Sequence, residues 1–271
     1  MNGKPRIIFF VSDSTGITVE KLGRSLLSQF PRLPVRTVFL RYLDSAEKVR
    51  QARARIEAAA GEGDLPPVVF SSLVDARLRA ELATDKAVLL DMFEIFLGRL
   101  ETVLRCKAEP AAGHAHRMPE PETYLARMDA VNYALRNDDG QGDDYARAEV
   151  ILLGVSRSGK TPVCLYLAMQ HGIFAANYPL VEADLQGTEL PAALRPFRRK
   201  LFGLTIEPQR LQLIRARRHS GRQYAQADQC RREVARAEEL FALNRLPVLD
   251  TTAISVEEIA TRIIAALGLR E

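Results

Sequence analysis

The residues with the clearest chemical meaning lie in the middle of the chain, where residues 154–161 read GVSRSGKT. This segment is a complete match to G-x-x-x-x-G-K-[ST], the phosphate-binding P-loop. Its glycines let backbone N–H groups turn toward a polyphosphate, while Lys160 adds a positive charge and the Thr161 hydroxyl can bind Mg²⁺. The motif therefore predicts a polyphosphate site with magnesium at Gly154, Val155, Ser156, Arg157, Ser158, Gly159, Lys160 and Thr161.

Phosphoryl transfer also needs a group that accepts the proton of the attacking hydroxyl. Asp138 and Asp139 lie in a turn directly before the P-loop strand, where they could act as base and metal ligand; an ordinary Asp-Gly turn is the alternative. Asp250 and Asp91 each end an apolar run, where P-loop proteins place a second magnesium-holding carboxylate. For these two residues, capping of a helix is the alternative.

Three further groups of residues have less specific chemistry. The loop 12–16 could bind an anion or cap a helix, and His114 and His116 in a proline-rich segment could supply acid–base chemistry. Basic residues concentrate late in the chain, which indicates either a solvated surface or a surface for phosphates or an acidic protein. They are Arg195, Arg198, Arg199, Lys200, Arg210, Arg215, Arg217, Arg218 and Arg222.

The segments beside the P-loop motif predict the strand–loop–helix order that it requires. Residues 148–153 form a short apolar run typical of a buried parallel strand. Residues 163–170 have the pattern of a helix, with Leu165, Ala168 and Met169 expected on one face.

The whole chain repeats this alternation of strands and helices. It predicts an α/β fold of parallel sheets flanked by helices, with an N-terminal βα domain and a C-terminal P-loop kinase-like domain. We expect domains at 1–105 and 148–271, joined by a linker and a helix at 106–147 that carries the Asp-Asp-Gly turn. The other strands are predicted at 6–11, 35–40, 67–71, 87–91, 175–178, 201–205 and 247–250.

The predicted helices have periodic apolar residues. In the first half the pattern places Val19, Leu22, Leu26 and Phe30 on one helix face, and Val49, Ala52, Ile56 and Ala60 on another. Later helices are predicted at 123–135, 211–218, 231–243 and 255–267. The last of these begins with a capping box formed by Ser255 and Glu258.

Composition narrows the classes of function. The chain has 271 residues, 47% hydrophobic and 27% charged, with a net charge of +4. No apolar run reaches the length of a membrane span, the first residues lack a signal-peptide cleavage pattern, and the three cysteines have no metal-binding spacing. These features predict a cytoplasmic protein that does not contact membranes. The absence of aromatic interleaving, helix-turn-helix signals and zinc patterns argues against nucleic acid as a partner.

Several separate motifs together resemble one family. They are the P-loop with its flank at 154–168 and the segments 11–18, 137–140, 177–180, 249–252 and 255–260. In this order they are similar to the bacterial and plant regulatory proteins of phosphoenolpyruvate synthase and pyruvate, phosphate dikinase, over nearly the whole chain. The Ser-Gly-Lys-Thr ending and the Ala-Asn-Tyr-Pro-Leu stretch look closer to the synthase branch.

The resemblance implies an unusual bifunctional enzyme. Such proteins phosphorylate a threonine of the target enzyme with ADP, which inactivates it, and remove the group with inorganic phosphate, which releases pyrophosphate. Residues 154–161 would then bind ADP with Mg²⁺, Lys160 would be catalytic, and Asp138 and Asp139 become stronger candidates for the base. Asn137 stands where many members are expected to have His, and it is given no role.

Phosphoenolpyruvate synthase is the implied partner, and a homodimer is expected. The late arginines and the loop 12–16 are candidates for holding the target protein. Two other functions stay open: a P-loop kinase for a small metabolite, with 210–222 as a phosphate-sensing lid, and a nucleotide-binding switch that regulates a partner without phosphoryl transfer.

Overall fold

The computed structural model describes residues 4–109, 121–140, 142, 144–217 and 226–269. This part of the chain forms two four-stranded parallel sheets with flanking helices, so the predicted α/β class is confirmed. The chain divides into two compact units, Met1–Arg117 and Met118–Glu271, which we describe separately. Within the described ranges, no helix combines the length and the apolar character needed to cross a membrane.

The first unit alternates strands and helices, and its sheet has the order β2-β1-β3-β4. The elements are β1 (Arg6–Val11), α1 (Ile17–Leu27), β2 (Val35–Leu40), α2 (Ala46–Ala60), β3 (Val68–Ser71), α3 (Ala76–Leu82), β4 (Val88–Asp91) and α4 (Met92–Leu104). Each strand agrees with its predicted range to within one residue. Successive residues of β1 point to opposite faces, so Phe9 and Phe10 lie in two different core clusters.

The apolar residues that recur at helical spacing in and after α1 are mostly exposed. Val19 is buried, but Leu22, Leu26 and Phe30 are 37%, 48% and 61% exposed, so the apolar face with this spacing is buried only at Val19. The reason is Gly23, where a Cβ would lie 2.4 Å from the Phe10 ring. The missing side chain lets α1 approach the sheet at Gly23, and the neighbouring leucines turn outward. In α2, by contrast, Val49, Ala52 and Ile56 are buried as predicted.

The second unit contains the P-loop sequence, and its sheet has the order β6-β5-β7-β8. Its elements are α5 (Pro121–Arg136), β5 (Val150–Gly154), α6 (Lys160–His171), β6 (Ala175–Pro179), α7 (Glu182–Leu185), a 3₁₀ segment (Ala192–Lys200), β7 (Leu201–Thr205), α8 (Pro208–Arg217), α9 (Ala227–Leu243), β8 (Val248–Asp250) and α10 (Val256–Leu267). Every residue of β5 is buried. Strands β6 and β7 pair with its two edges, and its side chains enter core clusters on both faces of the sheet.

Two local predictions in this unit need correction. The buried residues of α6 are Lys160, Val163, Cys164, Leu167 and Ala168, whereas Met169 is 54% exposed. Nearly all residues of 163–169 are apolar, so periodicity alone could not select the buried face.

The capping box predicted for α10 forms only in part. The Ser255 hydroxyl caps the helix by accepting from the Glu258 N–H at 3.2 Å. The Glu258 carboxylate instead accepts from Arg262 one turn later.

Candidate active site

The segment 154–161 joins β5 to α6 in the predicted strand–loop–helix order. Gly154 ends β5 at a position where a Cβ would lie 2.4 Å from the Leu204 carbonyl oxygen, so only glycine lets β7 come this close. Gly159 has a φ of +94° and is the N-cap of α6. Arg157 also has a left-handed backbone, with a φ of +77°, although it carries a side chain. These backbone angles bend the loop back over the start of α6.

Side chains bind the carbonyl groups of this loop. Lys160 Nζ donates to the Gly154 and Val155 oxygens, at 3.0 Å each. The Ser158 oxygen accepts from Thr251 Oγ1 at 3.0 Å, which places the end of β8 beside the loop. Carbonyl oxygens repel phosphates, so their engagement by donors favours an anion at the loop.

Lys160 is buried, with only 4% of its surface exposed. Burial lowers the pKa of its ammonium group to about 8, while the nearby carboxylates of Asp139 and Asp138 act in the opposite direction. The lysine is therefore close enough to both aspartates for their charges to act on it. A buried positive charge and the Asp138 carboxylate therefore lie beside the loop, and phosphoryl transfer uses groups of both kinds.

The Asp-Asp-Gly turn lies directly against the first turn of α6. Asp138 Oδ1 accepts from Thr161 Oγ1 at 2.8 Å and from Asn177 Nδ2 at 2.5 Å. Asn177 Nδ2 also lies 3.0 Å from Thr161 Oγ1 and 3.4 Å from Asp139 Oδ1. The structure thus brings two residues separated by 23 positions into one hydrogen-bonded cluster.

The backbone of β6 holds this turn in place. The Asn177 N–H donates to the Asn137 carbonyl at 3.0 Å, and the Gly140 N–H donates to the Asn177 carbonyl at 3.1 Å. Asp139 has a φ of +50° and Gly140 has a φ of +71°, which turn the chain back toward β5. Asn137 therefore has a structural place in the turn through its backbone.

Comparison with known proteins identifies the family to which this chain belongs. The family model described as Kinase/pyrophosphorylase matches residues 8–264. The chain belongs to the kinase/pyrophosphorylase family. The resemblance inferred from the sequence motifs is thereby confirmed, and the matched region includes the P-loop segment and the Asp-Asp-Gly turn.

Three relatives show how closely this chain resembles curated proteins. They come from Xanthomonas campestris pv. campestris (strain B100), Xylella fastidiosa (strain M12) and Xanthomonas oryzae pv. oryzae (strain MAFF 311018). Each is 48% identical over 265 residues, which cover 98% of this chain and 97% of the relative. Each is named "Putative phosphoenolpyruvate synthase regulatory protein".

Asn177 is a residue of this candidate site to which the sequence analysis assigned no role. It is 1% exposed, and its amide nitrogen contacts both Asp138 and Thr161. Its Oδ1 has no hydrogen-bond partner in the part of the chain that the structure describes. The signal in the sequence was a lone amide side chain in the otherwise apolar strand segment Ala175–Pro179.

The other predicted carboxylates have local hydrogen-bond partners. Asp250 Oδ1 accepts from the Thr252 N–H at 2.8 Å and from the Thr252 hydroxyl at 2.5 Å. No hydrogen bond among the described residues joins Asp250 to Thr161 or Asp138, so its magnesium role stays a prediction. Asp91 Oδ1 accepts from the N–H groups of Phe93 and Glu94 at 2.9 Å. Asp91 therefore caps α4, the alternative role considered for it.

The structure places the remaining candidate residues in different environments. In the loop 12–16, Gly16 is the N-cap of α1, while Asp13 accepts from the Val74 N–H at 2.9 Å. Arg195 forms an exposed ion pair with Glu189. Arg215, expected with the other late arginines at a surface, is instead fully buried. His114, His116, Arg218 and Arg222 lie outside the described residues.

The donor set at Thr161 fits magnesium. The described residues contain no cluster of three or more His, Cys, Asp or Glu side chains that could hold a metal ion alone. Mg²⁺ in nucleotide sites is held by one or two protein oxygens together with phosphate oxygens. The Thr161 hydroxyl and the Asp138 carboxylate supply two oxygens of this kind, 2.8 Å apart.

Proposed function

We propose that this protein transfers the β-phosphoryl group of ADP to a threonine of phosphoenolpyruvate synthase, and that it removes the group again with inorganic phosphate. The observation that carries this proposal is the contact between Asp138 and Thr161 beside the buried Lys160. It joins a carboxylate of the Asp-Asp-Gly turn, a candidate magnesium ligand, to the loop that would hold the phosphates. The protein partner is supported by the names of the relatives, and the choice of ADP by the family resemblance.

In the forward direction, the threonine oxygen attacks the β-phosphorus of ADP. A new P–O bond forms, the bond from the β-phosphorus to the bridging oxygen breaks, and AMP leaves with both bonding electrons. The hydroxyl proton passes to a carboxylate of the Asp-Asp-Gly turn. In the reverse direction an oxygen of inorganic phosphate attacks the phosphothreonine phosphorus, and the bond from that phosphorus to the threonine oxygen breaks. Pyrophosphate forms, and the threonine oxygen leaves with the bonding electrons and takes a proton from the same turn to become a hydroxyl.

The contacts suggest different roles for the two aspartates. Asp138 is already engaged by Thr161 and Asn177, so we assign it to orienting the Thr161 hydroxyl and to the magnesium site. Among the described residues, the side chain of Asp139 has one hydrogen-bond contact, at 3.4 Å with Asn177, so we assign it the role of base. When bound, Mg²⁺ would neutralise charge on the phosphate oxygens. Lys160 would place its ammonium group against the transferring phosphoryl group.

The role of Asp250 as a second magnesium ligand, the homodimer and the cytoplasmic location remain part of this proposal. They come from the sequence alone.

Label transfer tests the function. The protein is incubated with Mg²⁺, ADP labelled in the β-phosphate and phosphoenolpyruvate synthase, and the labelled residue is found by peptide mapping. We expect label on a threonine of the synthase. Label only on a small molecule would instead identify a metabolite kinase, and nucleotide binding without transfer would identify a regulatory switch. Lys160→Ala is the matched control, and it should fold but transfer no label.

A further inference from the structure

Arg215 on α8 is a fully buried arginine beside the P-loop segment. Its Nη2 donates to the carbonyl oxygen of Ser156 at 3.1 Å and to Glu233 Oε2 on α9 at 2.6 Å. Its Nη1 lies 3.8 Å from Cys230 Sγ. One guanidinium group therefore connects the loop to two helices that follow it in the chain.

Stability alone does not explain such a pair. Removing two charges from water is costly, and well-packed apolar residues can replace a buried ion pair with little or no loss of stability. The Glu233 side chain is 19% exposed, whereas that of Arg215 is 0% exposed, so the arginine is the more desolvated member. A feature that stability does not require indicates a role in the geometry of the loop.

The hydrogen bond to Ser156 defines that role. A peptide group is planar, so fixing the Ser156 carbonyl oxygen also fixes the N–H of Arg157 in the opposite direction. In P-loops the N–H groups at these positions point at the phosphates. The planar fork of arginine can hold a carbonyl oxygen and a carboxylate together, which a lysine ammonium does with less fixed geometry.

We propose that Arg215 and Glu233 are a positioning pair that holds the Ser156 peptide in the orientation needed to bind the nucleotide phosphates. This inference rests on the proposed role of the loop in ADP binding, and it does not depend on which molecule accepts the phosphoryl group. The charge of Arg215 also reaches the site. Burial is the main cause of the lowered pKa of Lys160, and Arg215 acts in the same direction.

The test replaces the pair without leaving a buried charge. A double variant, Arg215→Met with Glu233→Met, removes both charges and keeps the volume of the side chains. The matched control, Arg236→Met with Glu239→Met, removes an exposed ion pair from the same helix α9. For each protein we would measure Tm, the affinity for ADP with Mg²⁺, and the KM values for ADP and for the synthase.

We expect the Arg215/Glu233 variant to keep a Tm near that of the parent. Its affinity for ADP should fall about ten-fold, because the hydrogen bond that orients the loop is lost. KM for ADP should rise by a similar factor, while KM for the synthase stays unchanged. Arg215→Lys, which keeps the charge, should recover only part of the affinity, and the control should match the parent.

Unchanged ADP affinity in the folded Arg215/Glu233 variant would overturn the positioning role and leave the proposed function intact. Conversely, a parent that binds ADP but labels no synthase would refute the proposed transfer. The affinity loss in the variant would still support the positioning role in that case. A parent that binds no ADP would overturn both.

Discussion

The hydroxyl of Thr161 donates a hydrogen bond of 2.8 Å to Oδ1 of Asp138, which joins the first turn of α6 to the turn before β5. The same carboxylate oxygen accepts from Asn177 in the middle of β6. Three separate segments therefore meet at one oxygen atom beside the P-loop sequence. In this arrangement Asp138 and Thr161 act as a unit, and Asp139 is left with a weaker contact.

The two aspartates should respond differently to the same substitution. Asp138→Asn should raise the Mg²⁺ concentration needed for half-maximal transfer, because a neutral amide binds a cation less strongly than a carboxylate. Asp139→Asn should lower kcat by about 10²–10⁴ with little change in the Mg²⁺ requirement, as expected for loss of a base. Titration of initial rates with Mg²⁺ checks both. The opposite pattern would exchange the two assigned roles.

Lys160 should make stability depend on pH. Burial lowers its pKa from 10.5 to about 8, so between these values the unfolded chain binds more protons than the folded one. Stability from this group therefore rises with pH in that window and is lowest below pH 8. The stability advantage of Lys160→Met should accordingly shrink by up to about 1.4 kcal/mol per pH unit above pH 8. Urea unfolding without nucleotide, from pH 7 to pH 10, measures the free energies of unfolding of the parent and the variant. A difference between the two proteins that stays constant with pH would contradict the lowered pKa of Lys160.

We expect the side chain of Arg157 to contribute to phosphoryl transfer, although its backbone conformation lowers the stability of the fold. Its φ of +77° is a left-handed conformation that costs a residue with a side chain about 1 kcal/mol. Arg157→Gly should therefore leave the free energy of unfolding equal or about 1 kcal/mol higher, while transfer falls through loss of an exposed guanidinium beside the phosphates. Arg245→Gly is the control, since Arg245 is also left-handed at +50° but follows α9. If both variants transfer phosphoryl groups at the same rate, the side chain of Arg157 has no part in transfer, and only its backbone conformation matters.

The two glycines of the P-loop segment should differ in their tolerance of a methyl group. At Gly154 a Cβ would lie 2.4 Å from the Leu204 carbonyl oxygen, so Gly154→Ala should cost about 2–3 kcal/mol of stability. At Gly159 a Cβ would meet no atom within 4 Å, but the φ of +94° adds strain, so Gly159→Ala should cost about 1 kcal/mol. Chemical denaturation measures the free energy of unfolding of both variants. If Gly154→Ala were more stable than Gly159→Ala, the close approach of β7 to Gly154 would be contradicted.

The sequence predicted the strands better than the helix faces. Buried parallel strands are short apolar runs bounded by polar residues, so β1 and β7 have the predicted limits. The limits of β2 also agree with the prediction, although this edge strand is only partly buried. The faces of α1 and α6 depend on contacts between distant residues, such as Gly23 against Phe10, which periodicity does not contain.

The same limit applies to the site. The P-loop motif is local, and its residues could be recognised from their spacing. Asn177 and Arg215 reach the loop only through the pairing of β5 with β6 and the packing of α8 against α9. Nothing in the sequence near either residue shows which loop it will contact.

The central claim is that this site moves the β-phosphoryl group of ADP to a protein hydroxyl. The most direct measurement compares the AMP released with the phosphothreonine formed on phosphoenolpyruvate synthase, with ADP or ATP as the only nucleotide. The account predicts one AMP for each phosphothreonine with ADP, and neither product with Lys160→Ala. Phosphothreonine formed from ATP without AMP, or AMP released without phosphothreonine, would contradict it.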